Sequence, residues 1–597
     1  MSYFVGLSIA TGFLTFYSSR DKISSEIESE KDKEATAESR RRDEFAMKFP
    51  SINKIPVIRK VVRWMYKEGW WYSALLLLIL LIASGNIFVG LGDNDFFHDE
   101  QYHVAVVKSV LSGEGFRVWD YTINAPSERV YDSGYITNIF ALISAILFGF
   151  NETSLRFFIA LFGLFNIALV YFSFKDVFSK KVALITALAF SFNIISLWLS
   201  RFLRPYTFFL FFYLLSFLFL TKSLKFPFSN YKKGLLLFSW IIFALLAIEE
   251  REVGKILLII LPLCFLGFIA FNKNEVFRIL KNNKTKIYLA IAIVLLSLIT
   301  LNFLSIVKLS ILPNQVQDFL SLSTKESSKI YYTDLLLSQI KNPNLGIVLF
   351  FLIIINSIFL AKYRFFERVI YFLIYALVPI FVMIYIFNKY EDFRYFYHIV
   401  PFFLGSIILS ANYYVKIYTK KKSLQTAFLI LAFLLLIYPV FSFYHQEGLT
   451  IKSPHSWIGD EGQEYLNGRI VAPEYKKVIN ALEKAQKSGD IVIIPDGFWH
   501  LNYDEHITYY QIELWNFSRD LKKGDELIDF FEFIENNKGK KMYYIGAYVH
   551  MIDPQVIDYL LKNCENHSEK LGILKFNYNS FYKNRFYWPN FYECTIT

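Results

Sequence analysis

Cysteine is scarce in this chain, with three residues in 597, and no two of them form a Cys-x-x-Cys pair. No Walker phosphate loop, no Rossmann glycine fingerprint and no Gly-x-Ser-x-Gly elbow is present either. A nucleotide-driven pump or a serine hydrolase therefore has nothing to rest on. Charge is almost missing from the long apolar runs that recur between residues 71 and 443. What is abundant is apolar: 54% of residues are hydrophobic and 19% aromatic, with 63 Phe and 40 Tyr. This composition excludes a soluble domain and reads as a polytopic membrane protein. The aromatic load is most simply core packing and lipid contact.

The formal charge of +11 is a topology signal and gives no reason to expect nucleic acid. The connectors 175–181, 221–233, 272–286, 362–368 and 416–422 together hold 19 Lys/Arg against three acidic residues, which makes them cytoplasmic. Residues 92–133 carry eight Asp/Glu against three Lys/Arg and lie on the exoplasmic side. For the signs to alternate, residues 134–150 form an interfacial helix at the exoplasmic face; the alternative, a span of their own, would invert every later loop. About eleven spans then follow, near 71–91, 154–174, 182–199, 207–221, 234–248, 256–271, 287–307, 345–361, 369–387, 396–415 and 425–443. The expected fold is mainly α, a polytopic transmembrane bundle with a C-terminal exoplasmic α/β domain.

Three parts follow from this layout. Residues 1–70 are a cytoplasmic segment with a short apolar stretch, Tyr3 to Tyr17, that reads as an extra anchor or interfacial helix; no basic n-region or small-residue cleavage site marks a signal peptide. Residues 71–443 are the membrane domain, with an exoplasmic loop at 92–153. Residues 444–597 alternate helix-like runs (EYKKVINALEKAQKSGD, DELIDFFEFIENN, DPQVIDYLLKN) with strand-like runs (DIVIIPDG, KKMYYIGAYV). Cys564 and Cys594 share this last part, where a disulfide is permitted by compartment and not demanded by spacing. The N-terminus is thus expected inside the cell and the C-terminal domain outside.

The densest polar signal is FFHDEQYHVAVVKSVL, directly after the first span. Asp99 and Glu100 open an amphipathic helix there, and an acidic pair at a helix N-terminus is by itself favoured by the macrodipole. His98, Asp99 and His103 do not have a recognised metal-ligand spacing. No resident cofactor is expected, and a divalent metal stays open as an alternative to an Asp–His hydrogen bond. EEREVGK, with Glu250, reads as a solvated charge cluster, with donor or acceptor contacts as the alternative.

The order of short motifs resembles the GT-C-fold glycosyltransferases that use polyprenyl-phosphate sugars, the group of the protein O-mannosyltransferases and the lipid A aminoarabinose transferases. The resemblance is carried by HDEQY after the first span, by LFGFNETSLRFF with Arg156 opening the second, by SRFLRPY (Arg201, Arg204, Tyr206) after the third, and by FRYFYHIVPFF (Arg394, Tyr395, His398, Pro401) late in the bundle. It covers residues 71–443 in order. Where many relatives carry a basic residue and Pro-Pro before the interfacial helix, this chain has SERVYDSGY, with Arg129 as the substitute. Oligosaccharyltransferases carry a further acidic pair after the third span and SRFLRPY has none, which argues against en-bloc, metal-dependent transfer.

The resemblance implies an inverting hexosyl- or pentosyltransferase acting at the exoplasmic face of the cell membrane. Its partners would be a polyprenyl-phosphate sugar donor, a lipid, glycan or protein acceptor, and membrane lipids. Asp99 is the expected general base, with Glu100 orienting a partner or the donor sugar. Arg204 and Arg394, with Arg201, are the candidates for the donor phosphate, since a guanidinium forks onto phosphate oxygens; snorkelling to headgroups is the alternative. Tyr102, His103, Arg129, Tyr206, Tyr395 and His398 are candidate substrate contacts. Two other classes remain in view. A flippase would carry ionisable groups near the midplane of its spans, where this chain has almost none. A membrane scaffold would leave the Asp99 loop without a purpose.

Overall fold

The computed structural model describes residues 64–65, 68–93, 96, 98–120, 125–131, 133–226, 231–271, 366–385, 397–418, 424, 427, 475–495, 509–512, 519–523, 526–546, 552–568, 570–571 and 590–597. In chain order the elements are α1 (Trp70–Phe88), α2 (His98–Leu111), β1 (Arg117–Asp120), β2 (Ala125–Val130), α3 (Tyr135–Phe148), α4 (Glu152–Lys175), α5 (Lys180–Ser191), α6 (Ile194–Leu199), α7 (Tyr206–Ser223), α8 (Tyr231–Glu250), a 3-10 turn (Glu252–Ile256), α9 (Leu257–Phe271), α10 (Phe366–Tyr385) and α11 (Val400–Tyr418). They continue as α12 (Tyr475–Ala485), β3 (Ile491–Pro495), β4 (Tyr510–Ile512), β5 (Asp520–Lys523), β6 (Glu526–Asp529), α13 (Phe530–Glu535), β7 (Lys541–Gly546), α14 (Pro554–Asn563), β8 (Cys564–Asn566) and β9 (Asn590–Thr595). The expected spans at 287–307, 345–361 and 425–443 and the stretch 3–17 lie outside the described residues.

The chain divides into two compact units, one of residues 1–86, 162–197 and 206–442, the other of residues 87–161, 198–205 and 443–597. Five described helices are long and apolar enough to cross a membrane: Trp70–Phe88, Glu152–Lys175, Tyr206–Ser223, Tyr231–Glu250 and Val253–Phe271. In the helical unit the core is aromatic, with the ring centres of Phe174 at 5.3 Å and of Phe217 and Phe372 at 5.2 Å from that of Phe402. Hydroxyls buried in hydrocarbon need partners inside the protein. Accordingly the Tyr375 hydroxyl takes a bond from Trp240 Nε1 (2.9 Å) and shares one with Ser216 Oγ (2.7 Å). The Tyr213 hydroxyl donates to the Tyr375 carbonyl (2.7 Å). Asn166 Nδ2 ties α4 to the Thr207 carbonyl at the start of α7 (2.9 Å).

One expected span is not a single helix. Residues 182–199 break at Phe192-Asn193 into α5 and α6, because Asn193 Oδ1 accepts from the Ser196 N–H (3.2 Å) and starts a new helix there. With 12 residues, α5 reaches only about 18 Å.

In the second unit α2 packs Ala105 and Val106 onto Val118, Trp119 and Tyr131 of the β1–β2 hairpin and the residue after it. Helix α3 has 14 residues, about 21 Å, short of the roughly 30 Å hydrocarbon core. Its small and polar face (Thr137, Asn138, Ala141, Ser144, Ala145) is buried, while Ile139, Ile143, Ile146, Leu147 and Phe148 are exposed. Apolar residues facing outward reverse the pattern of a soluble surface helix.

The C-terminal residues form a seven-stranded mixed sheet in the order β6-β5-β4-β3-β7-β9-β8. Its centre is the run Ile491 to Ile494, buried throughout, with β3 parallel to β4 and β7. Val478, Ile479 and Leu482 of α12 share its core. DELIDFFEFIENN is not one helix: Glu526–Asp529 is a strand, and the Asp529 side chain then accepts from the Phe531 and Glu532 N–H groups to start α13. Cys564 and Cys594 are opposite one another on β8 and β9 and are disulfide-bonded.

Candidate active site

Helix α2 begins at His98, so Asp99 and Glu100 lie in its first turn. The Glu100 side chain is fully buried and ion-paired to Arg156 of α4, itself fully buried. Arg156 engages it with both faces of its fork, Nε to Oε1 (2.8 Å) and Nη2 to Oε2 (2.7 Å). Its third nitrogen, Nη1, donates to the Leu91 carbonyl (3.1 Å), and its guanidinium carbon is 4.9 Å from the Phe96 ring centre. Glu100 Oε1 also accepts from the Leu203 N–H (2.7 Å). One carboxylate therefore joins three segments: the start of α2, the start of α4, and the loop of SRFLRPY. Desolvating two charges is costly, and bidentate geometry with every donor satisfied is what makes such a pair tolerable.

The next residues of α2 are bound one by one. Gln101 Nε2 donates to the Phe96 carbonyl (3.2 Å). Tyr102 stacks on Tyr131 at 5.9 Å, and His103 meets the same ring edge-on at 5.2 Å. His103 Nδ1 bonds Asn138 Oδ1 of α3 (2.7 Å); with a carbonyl oxygen as partner, Nδ1 carries the proton. Gly134, at φ +68°, is what lets α3 start this close, since a Cβ there would sit 3.0 Å from His103 Cε1 and 3.2 Å from Pro205 Cβ.

The three loop residues of SRFLRPY part company. Arg204 is half-buried and donates from Nη1 to the Tyr131 hydroxyl (3.1 Å), which links it through Tyr131 to Tyr102 and His103. Arg201 is buried, and its Nη1 and Nη2 donate to the Val89 and Gly90 carbonyls (2.6 Å each). These are carbonyls at the C-terminal end of α1, where cations are favoured. Tyr206, in the helical unit, is buried at the start of α7; its hydroxyl accepts from Arg251 Nη2 (2.6 Å), and the Arg251 guanidinium carbon lies 3.7 Å from its ring centre. The solvated cluster expected at EEREVGK is not what forms: Glu250 is fully buried and Arg251 7% exposed, because the 3-10 turn folds back on α8 so tightly that a Cβ on Gly254 would lie 2.3 Å from the Ala247 carbonyl oxygen. His398 is buried in the same unit, with its ring 5.0 Å from Phe209 and 5.1 Å from Tyr213.

Arg394 and Tyr395, and the side chains of Asp99 and Arg129, lie outside the described residues. Among the described residues no group of three His, Cys, Asp or Glu side chains is arranged to hold a metal ion. Two residues of this arrangement carry no sequence signal. Tyr131 falls in SERVYDSGY and Asn138 at the start of the following apolar run, but neither residue is singled out there, and only their positions against Tyr102, His103 and Arg204 mark them.

Residues 133–301 match the family model of the dolichyl-phosphate-mannose-protein mannosyltransferases. Among solved structures, the chain is similar to ArnT from Cupriavidus metallidurans bound to undecaprenyl phosphate, at a TM-score of 0.51 and 13% identity, covering 87% of this chain and 98% of that one. It is also similar to the oligosaccharyltransferase of Archaeoglobus fulgidus in its apo form, at a TM-score of 0.50 and 14% identity, covering 84% of this chain and 74% of that one. No curated protein matches the sequence. The fold is the GT-C fold, as the order of motifs implied.

Proposed function

We propose that this chain is an integral membrane glycosyltransferase that moves one sugar from a polyprenyl-phosphate carrier to a lipid, glycan or protein acceptor at the exoplasmic face. The observation that carries the reading is the Glu100 carboxylate, which fastens the helix of Asp99 to Arg156 and to the loop of Arg204. The mannosyltransferase match over residues 133–301 and the undecaprenyl phosphate bound by ArnT support a lipid-phosphate donor.

Asp99 takes the proton of the acceptor hydroxyl or amine as that atom attacks the anomeric carbon. The bond from that carbon to the phosphate oxygen breaks in the same displacement, so the configuration inverts and no covalent sugar–enzyme intermediate forms. Arg204 and Arg394 neutralise the departing lipid phosphate. Arg201 is left out of this set, since both ends of its fork already cap α1. Glu100 acts through Arg156 and Leu203 as a positioning residue. The Cys564–Cys594 disulfide supports an exoplasmic C-terminal domain, because such bonds persist in oxidising compartments.

The test is Asp99→Asn, which keeps the side chain's shape and removes its basicity. Turnover should fall by about a hundredfold to ten-thousandfold while donor-lipid binding is retained, and the wild-type product should carry the inverted anomeric configuration. A correctly inserted Asp99→Asn protein that transfers sugar at the wild-type rate would rule the site out.

A further inference from the structure

Tyr131 follows the β1–β2 hairpin and is held on several sides. Its N–H donates to the Phe116 carbonyl (3.2 Å). Its ring stacks on Tyr102 at 5.9 Å with 5° between the planes, and His103 meets it edge-on at 5.2 Å. Ala105, Val106, Val118 and Trp119 pack in the same cluster, and His103 is in turn bonded to Asn138 (2.7 Å). At 9% exposure the Tyr131 side chain has little room to move. Its hydroxyl is thus carried at a fixed point, and that hydroxyl accepts from Arg204 Nη1 (3.1 Å).

Arginine carries its donors at the end of a long, flexible stem. A guanidinium that receives an anion has to be ordered, and ordering it before the ligand arrives raises affinity. Two contacts order this segment against α2. The Leu203 N–H donates to Glu100 Oε1 (2.7 Å), which pins the backbone one residue before Arg204, and Tyr131 pins the far end of the side chain. The chemistry of the second contact matters. A carboxylate in the place of the phenol would hold the guanidinium and cancel its charge, as Glu100 does for Arg156, whereas a neutral oxygen gives direction without cancelling charge. Position 99 lies one turn before His103 on α2, so the same contact sets Arg204 relative to the helix of Asp99.

We propose that Tyr131 is a positioning residue whose hydroxyl aims Arg204 at the phosphate of the polyprenyl-phosphate donor. The inference rests on the reading of Arg204 as a donor-phosphate contact. Tyr131 acts through Arg204 and makes no substrate contact of its own in this role. The phosphate is common to the donor and to the carrier lipid left behind after transfer, so loss of the hydroxyl weakens the hold on both.

The experiment uses the full chain, purified in detergent and titrated with undecaprenyl phosphate, which carries the phosphate without a sugar and so reads binding apart from turnover. Tyr131→Phe keeps the ring and removes the hydroxyl. Affinity should fall about tenfold, the scale of a hydrogen bond to a charged group, while the melting temperature holds. In transfer assays donor KM should rise in step, with kcat and its pH profile unchanged. In an Arg204→Ala background the same substitution should have no further effect, because residues that act as a unit are not additive. Tyr131→Ala, which also takes the ring away from Tyr102 and His103, should lower the melting temperature as well. The proposal alone is overturned if Arg204→Ala weakens lipid binding but folded Tyr131→Phe binds as wild type does, or if the Tyr131→Phe loss persists in full without Arg204. Wild-type affinity in Arg204→Ala itself would bring down the phosphate reading of that residue, and the inference with it.

Discussion

Removing one partner of the Glu100–Arg156 pair should be among the most damaging single changes in the second unit. Arg156→Met strips the bidentate partner from a buried carboxylate, and Glu100→Gln leaves a buried guanidinium facing an amide. Breaking a buried pair in this way costs about 3–5 kcal/mol. At roughly 2–4 °C per kcal/mol for a folding unit of 150–250 residues, each single variant should melt about 6–20 °C below wild type. The double variant Glu100→Gln with Arg156→Met removes both charges and keeps an oxygen for the Leu203 N–H. It should therefore be more stable than either single variant, a non-additivity that unconnected sites do not show. Intrinsic fluorescence of the detergent-purified proteins reads all four melting temperatures. Strict additivity, or single variants within 2 °C of wild type, would refute the pair. On the proposed role of Glu100 as a positioning residue, any residual activity of Glu100→Gln should show a lowered kcat on an unchanged pH profile.

The two arginines of SRFLRPY should separate by assay. Arg204→Ala should weaken donor-lipid affinity through loss of a charge-assisted contact worth about 1.5–3 kcal/mol, with little change in melting temperature. Arg201→Ala should lower melting temperature by uncapping the Val89 and Gly90 carbonyls while donor affinity holds; the opposite pattern would exchange their roles. For the disulfide, whose cysteines are 30 residues apart, Cys564→Ser should cost the C-terminal sheet about 3–4 kcal/mol in the chain-entropy account. Maleimide labelling under non-reducing conditions should find both thiols of the wild-type chain blocked. Free thiols at both positions in protein taken directly from cells would place this sheet in a reducing compartment and invert the proposed topology.

Much of the helical layout was legible because hydrocarbon imposes a length and a composition on anything that crosses it. The helices at Trp70–Phe88, Glu152–Lys175, Tyr206–Ser223 and Tyr231–Glu250 fall within a few residues of their expected positions. The break at Asn193 was hidden because its cause is one side-chain oxygen within an apolar run. The strand in DELIDFF was hidden because Leu527 and Ile528 fit either period, and only the Asp529 cap and the pairing with β5 decide it. At EEREVGK, five charged residues in seven gave every reason to expect solvent, and the close approach permitted by Gly254 is not visible as a local pattern. Arg156 stood out as part of a motif, yet its partner lies 56 positions away and no spacing argument connects them.

The polar density of HDEQYH follows from what is fastened there. Glu100 is tied to Arg156 and Leu203, Gln101 to Phe96, Tyr102 to Tyr131, and His103 to Tyr131 and Asn138. Four successive residues thus hold the first turns of α2 against five separate points of the same unit. A base must sit within a few tenths of an ångström of its proton, and a misplacement of about 1 Å is enough to cost a hundredfold in rate. On the proposed reading, in which α2 lies outside the bilayer and carries the base, lipid presents no fixed surface and cannot supply that precision. Protein side chains must supply it, and those nearest Asp99 along the chain are the ones that do.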